Sequence, residues 1–110
     1  MDEIKTEMCH RGIVKITLDD PQRSVNTMTP DLLIEFEKKI VPLLEDEAVK
    51  GMVFCSAKSD TFIAGADIKL FAEADDPARV CELDGAYSRI LTRLSRGKKP
   101  VVAAVHGAAL

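Results

Sequence analysis

The sequence predicts an α/β fold, and three patterns carry that prediction. Val14, Ile16 and Leu18 alternate with Lys15 and Thr17, the period of a half-buried strand. Two stretches keep helical spacing instead: Leu33, Phe36, Ile40, Leu43 and Leu44, then Val80, Leu83, Tyr87, Ile90, Leu91 and Leu94. Two apolar runs, Met52-Val53-Phe54-Cys55 and Val101-Val102-Ala103-Ala104-Val105, are uninterrupted, as in strands covered on both faces.

Taken in order, residues 3–9 form a first, weaker strand candidate. His10-Arg11-Gly12 reads as a hairpin turn into the strand at 12–18. A polar loop, Asp19 to Asn26, follows. Thr29 is a helix N-cap, with Pro30 at the first helical position and Asp31 in the first turn. Pro42 lies inside that helical pattern and predicts a kink or an early stop, because it lacks an N–H and crowds the preceding turn. Residues 51–56 are a buried strand. Asp75-Asp76-Pro77 starts a second helix that runs to about Ser95, and Gly97 ends it. The last apolar run leads into Ala108-Ala109-Leu110, which is not a solvated end. Residues 1–110 are therefore expected to be one portion of a single, larger domain with no internal boundary.

The 110 residues are 46% hydrophobic and 30% charged, with net charge −3 and both signs interspersed, which gives no sign of a nucleic-acid binder. Cys9, Cys55 and Cys81 are odd in number and widely spaced, with no C-x-x-C pattern. Cys55 reads as a small buried hydrophobe and the compartment as reducing. No run approaches the roughly 20 apolar residues of a membrane helix. The start has no signal-peptide pattern, so the cytoplasm is the expected location. His10 and His106 are isolated and make no catalytic or metal constellation.

The chemistry concentrates in Ser59 to Glu73. This stretch leaves a strand, passes Ala64-Gly65-Ala66 and enters a short helical pattern at Asp67. Such strand-to-helix loops hold ligands in open α/β sheets. Gly65 permits a turn that a Cβ would resist, and the flanking alanines leave the peptide N–H groups approachable. A first helical turn offers unpaired donors suited to a developing oxyanion. From local chemistry alone, a tight connection with no ligand is the reading to prefer.

Three blocks narrow the choice. Pro21-Gln22-Arg23-Ser24-Val25-Asn26-Thr27-Met28, Phe62-Ile63-Ala64-Gly65-Ala66-Asp67-Ile68-Lys69 and Lys99-Pro100-Val101-Val102-Ala103-Ala104-Val105-His106-Gly107-Ala108-Ala109-Leu110 resemble, at matching spacing, the motifs of the crotonase, or enoyl-CoA hydratase/isomerase, superfamily. The resemblance spans nearly the whole chain. Its wording leans toward the N-terminal part of the hydratase module of fatty-acid oxidation complex α subunits.

The resemblance implies a truncated, N-terminal part of a crotonase-like fold built from repeated ββα units. It also implies an acyl-CoA thioester as substrate, with no other cofactor or metal in this chain. Ala66 would be a backbone oxyanion donor. Arg23, Ser24, Val25, Ala64, Gly65, Asp67, Ile68 and Lys69 would line the substrate, with Arg23 facing a phosphate. Asp67 is equally readable as a helix-start residue, Lys69 as solvated surface, and Asn26 as a loop residue whose amide holds backbone.

The family's second oxyanion donor and its glutamates match nothing in this chain. The parent enzyme is thus expected to be a hydratase/isomerase of β-oxidation, a homo-oligomer or part of a multifunctional complex. The chain alone is expected to be inactive and prone to self-association. A non-catalytic crotonase-fold module binding a CoA ester or a protein is the alternative. An α/β interaction domain without a ligand is a third reading.

Overall fold

The computed structural model describes residues 3–65 and 77–109. Strands β1 (Ile4–Met8), β2 (Ile13–Leu18), β3 (Gly51–Ser56) and β5 (Val101–Ala103) form one sheet in the order β1-β2-β3-β5. β1 runs antiparallel to β2, whereas β2–β3 and β3–β5 are parallel. β4 (Thr61–Ile63) and β6 (Ala108–Ala109) make a second, two-stranded parallel sheet. The helices are α1 (Pro30–Glu35), α2 (Val41–Glu45) and α3 (Pro77–Arg96).

The hairpin expected at His10–Gly12 is present. Arg11 and Gly12 both take positive φ, 63° and 79°, and Cys9 N–H closes the turn on Ile13 O at 2.7 Å. Alternation along β2 is realised: Val14, Ile16 and Leu18 are buried while Lys15 is exposed. These side chains pack with Met52 and Phe54 of β3, Leu32, Phe36 and Ile40 of the first helical stretch, and Ile90 and Leu94 of α3. The Phe36 and Phe54 rings stack with centroids 5.9 Å apart.

Thr29 caps α1 as expected: its hydroxyl accepts from Leu32 N–H at 3.1 Å, and Pro30 opens the helix. Pro42 does not stop it. Residues Phe36–Ile40 form a π-helical turn in which Val41 N–H reaches back to Phe36 O, and α2 continues to Glu45. A widened turn shifts the hydrogen-bond ladder by one residue, which accommodates a proline that cannot donate. Lys99 then places its ammonium on the carbonyls of Leu43 and Asp46, at 2.6 and 2.5 Å. A cation there satisfies last-turn acceptors and opposes the helix dipole.

Three expectations change. Val101–Val105 is not a strand covered on both faces. Only Val101–Ala103 pairs, at the sheet edge, and Val102 and Val105 are 56% and 55% exposed. Among the described residues β5 is the last strand of this sheet. Cys55 is half-buried, its sulfur 3.4 Å from Thr17 Oγ1, because it points off the face that carries Phe54. On α3, Tyr87, Ile90 and Leu94 are buried as the stripe predicts, but Leu91, one position round the helix from Ile90, is 50% exposed. Asp75 and Asp76 of the expected helix start, and the short helical pattern from Asp67, lie outside the described residues.

A buried polar seam ties β1 to the helices. The Glu35 carboxylate accepts from the Glu3 and Ile4 N–H groups, at 2.6 and 3.1 Å, and from Lys39 Nζ at 2.9 Å. Glu3 lies beside it, accepting from the Thr29 hydroxyl at 3.4 Å, and Tyr87 donates its phenolic O–H to Thr29 O. Burial is the main cause that raises the Tyr87 phenol above its ordinary range. Burial and then the negative charges of Asp20, Glu35 and Asp31 push the Glu3 carboxyl up to about 7.

A carboxyl raised in the folded state holds its proton where the unfolded chain has lost it. Its stabilisation is complete below the unfolded value, 4.5, and is lost as pH rises through about 7. Glu3→Gln, which mimics the protonated form, should match the wild type near pH 4.5. At pH 8 it should exceed the wild type by about 2–3 kcal/mol. Urea titrations at both pH values measure the difference; equal stability at pH 8 would contradict it.

Candidate functional site

The site is built from two loops stitched together by backbone. Ala64 N–H donates to Asn26 O and Met28 N–H to Gly65 O, each at 2.8 Å. The segment after Arg23-Ser24-Val25 therefore runs alongside Ala64-Gly65, and the two predicted substrate-lining stretches are neighbours. Gly65 sits at φ +80°, a left-handed conformation that favours glycine, so the expected sharp turn is real. The Ala64 N–H is committed to Asn26 and is not open to a ligand, which narrows the expectation of approachable donors.

Asn26 is the hub, as its reading as a backbone-holding residue anticipated. It is 3% exposed. Its Oδ1 accepts from Asp20 N–H at 2.9 Å. Its Nδ2 lies 3.1 Å from Leu18 O, 2.9 Å from Ser56 Oγ and 3.1 Å from Phe62 O. Ser56 extends the network by donating to Thr61 O at 2.8 Å. One amide thus fastens the end of β2, the end of β3 and the start of the 62–65 loop.

Arg23 and Ser24 are exposed, whereas Val25, Ala64 and Gly65 are half-buried. Arg23 Nε lies 3.7 Å from the Asp20 carboxylate and its Nη1 donates to Thr27 Oγ1 at 3.1 Å. Asp20 in turn accepts from Gln22 N–H at 2.9 Å, a local turn legible in its Asp-Pro-Gln setting. Ala66, Asp67, Ile68 and Lys69 lie outside the described residues. Among the described residues no cluster of His, Cys, Asp or Glu is arranged to hold a metal.

A third segment joins at His106–Ala109. Gly107 takes φ +63°, Ala108 N–H donates to Asp60 O at 3.0 Å, and Thr61 pairs with Ala108. His106 Nε2 lies 2.6 Å from Lys58 O, which makes Nε2 the donor. Sequence reasoning missed Lys58 and Ser56. Their contacts are with residues remote in the chain, and nothing local marks them.

The enoyl-CoA hydratase/isomerase family model matches residues 8–110. The chain belongs to that family. A fatty acid oxidation complex subunit alpha from Shewanella amazonensis is 35% identical over 101 residues, covering 90% of this chain and 14% of the relative. The fold is that of solved crotonase-type proteins. An enoyl-CoA hydratase from Bacillus anthracis, at 24% identity, superposes with a TM-score of 0.85 over 96% of this chain and 40% of its own. A probable enoyl-CoA hydratase from Mycobacterium smegmatis, 27% identical, gives 0.77 over 97% and 42%. This hydratase/isomerase-family chain therefore spans about two-fifths of the solved chains and a seventh of the curated relative. Among its described residues no helix is long and apolar enough to cross a membrane.

Proposed function

We propose that this chain contributes the acyl-CoA-binding part of an enoyl-CoA hydratase/isomerase-type lyase of fatty-acid β-oxidation. The observation that carries the reading is the pairing of Asn26–Met28 with Ala64–Gly65, in a chain of this family. That pairing sets Ala64 and Gly65 alongside the segment that follows Arg23-Ser24-Val25. Ala66 N–H serves as an oxyanion donor for the thioester oxygen. A fixed dipole stabilises charge that develops there without reorganising during reaction. Ala64, Gly65, Asp67, Ile68 and Lys69 line the same ligand, and Arg23 offers its guanidinium to a phosphate.

The substrate is the CoA thioester itself, with no additional cofactor. The chain by itself does not hydrate crotonyl-CoA, since no residue here matches the family's catalytic glutamates. The parent works as a homo-oligomer or within a multifunctional complex. The three free cysteines support a cytoplasmic setting.

Acetoacetyl-CoA should raise the thermal midpoint of the chain, by the equivalent of about 1.4 kcal/mol at ten times the dissociation constant. Ala66→Pro, which removes the donor, should abolish the rise while remaining folded by circular dichroism. A wild-type midpoint unmoved by saturating ligand would overturn binding by these residues.

A further inference from the structure

We propose that Lys58 is a positioning residue for the nucleotide end of the ligand, holding Arg23-Ser24-Val25 in place from beneath; this rests on the acyl-CoA reading above. The Lys58 side chain is only 14% exposed, an unusual place for an ammonium on a loop. All three of its donor directions are occupied. Nζ donates to Asp20 O at 2.6 Å and to Arg23 O at 2.8 Å, and it pairs with Asp19 Oδ1 at 2.8 Å. Those two carbonyls bracket the turn that delivers Arg23. With its carbonyl drawn toward Lys58, Arg23 keeps its side chain 40% exposed.

The Lys58 backbone is fixed from the other side. Its N–H donates to Ser56 Oγ at 3.0 Å, and Ser56 is itself held by Asn26. Its carbonyl accepts from His106 Nε2. The residue therefore connects the 19–23 loop, the 56–61 connection and the segment before Gly107. Stability alone would not call for a largely covered cation here, because an ammonium withdrawn from water gains little over a well-packed apolar side chain. The charge-assisted bonds are directional, and what they orient is the backbone of the Arg23 segment.

The test compares acetoacetyl-CoA with acetoacetyl-pantetheine, which lacks the nucleotide, by calorimetric titration of wild type, Lys58→Met and Asp19→Asn. The wild type should prefer the CoA ester by about tenfold or more, and Lys58→Met should lose most of that preference. Its affinity for the pantetheine ester should stay within about twofold of wild type. Asp19→Asn weakens the ammonium's anchor without emptying the site. It should shift the same ratio by about threefold, even if Lys58→Met fails to fold. A variant that weakens both esters equally, or neither, would overturn the positioning role alone. A wild type that binds neither ester would overturn the acyl-CoA reading and the role with it.

Discussion

Asn26→Ala should cost about 3–4 kcal/mol of folding stability, a large share of the roughly 5–15 kcal/mol that a domain has to lose. The truncation removes the partner of Asp20 N–H and a partner of Phe62 O, and strips one contact each from Ser56 and from Leu18 O, which keeps its bond from Ala57 N–H. Each buried group left without a partner costs about 1–3 kcal/mol, and a water admitted to the gap recovers some of that. Asn26→Asp should fare no better at neutral pH, because a carboxylate oxygen would then face carbonyl oxygens where an N–H₂ donated. Chemical denaturation measures both. A loss under 1 kcal/mol for Asn26→Ala would show that the loop is held by its backbone pairing and not by this amide.

Gly107→Ala carries the other large effect, and its cause is steric. A Cβ at position 107 would lie 2.0 Å from Asp60 O and 2.4 Å from Asp60 C, both backbone atoms that cannot swing aside. The residue also sits at φ +63°, which costs a residue with Cβ about 1–2 kcal/mol on its own. Relief requires Asp60 and Gly107 to separate, which breaks the Ala108 N–H to Asp60 O bond and the β4–β6 pairing. The expected result is a loss of about 3 kcal/mol or more, concentrated in that two-stranded sheet. Amide exchange should accelerate at Ala108 while the β2 and β3 amides keep their protection. Uniform acceleration across both sheets, or none, would contradict the local mechanism.

The two predictions bear on function through the same geometry. Asn26 fixes the direction in which the chain leaves Phe62, and Gly107 lets the 106–109 segment close onto Asp60. Both lie at the base of the loop that runs through Ala64 and Gly65. In the acyl-CoA reading, a donor N–H displaced by a fraction of an ångström loses much of its value, since preorganisation is what distinguishes it from water. Variants at these positions that remain folded should therefore also weaken the response to acetoacetyl-CoA.

Local pattern alone determined a good deal of this protein. β2 was legible because one buried face imposes a period of two on Val14, Ile16 and Leu18. The N-cap at Thr29 and the proline after it were legible because helix ends leave donors that only certain residue types satisfy. Tyr87, Ile90 and Leu94 followed from the helical period, and the family motifs placed Arg23 to Val25 and Ala64 to Lys69 as one candidate site. Tertiary structure decided the rest. Whether Val101–Val105 is covered depends on which strands stand beside it, and a run of valines carries no record of its neighbours. Pro42 was absorbed by a π turn because packing of Phe36 and Ile40 before it and of Leu43 and Leu44 after it holds the helix on both sides, a gain that propensity does not count. Lys58, Ser56 and Asn26 became a network only on folding. Lys58 meets Asp20 across 38 positions and Asn26 meets Phe62 across 36. Hydrogen bonds between residues so far apart leave no periodic trace, so the loop could be singled out from the chain as a candidate site while the scaffold around it could not.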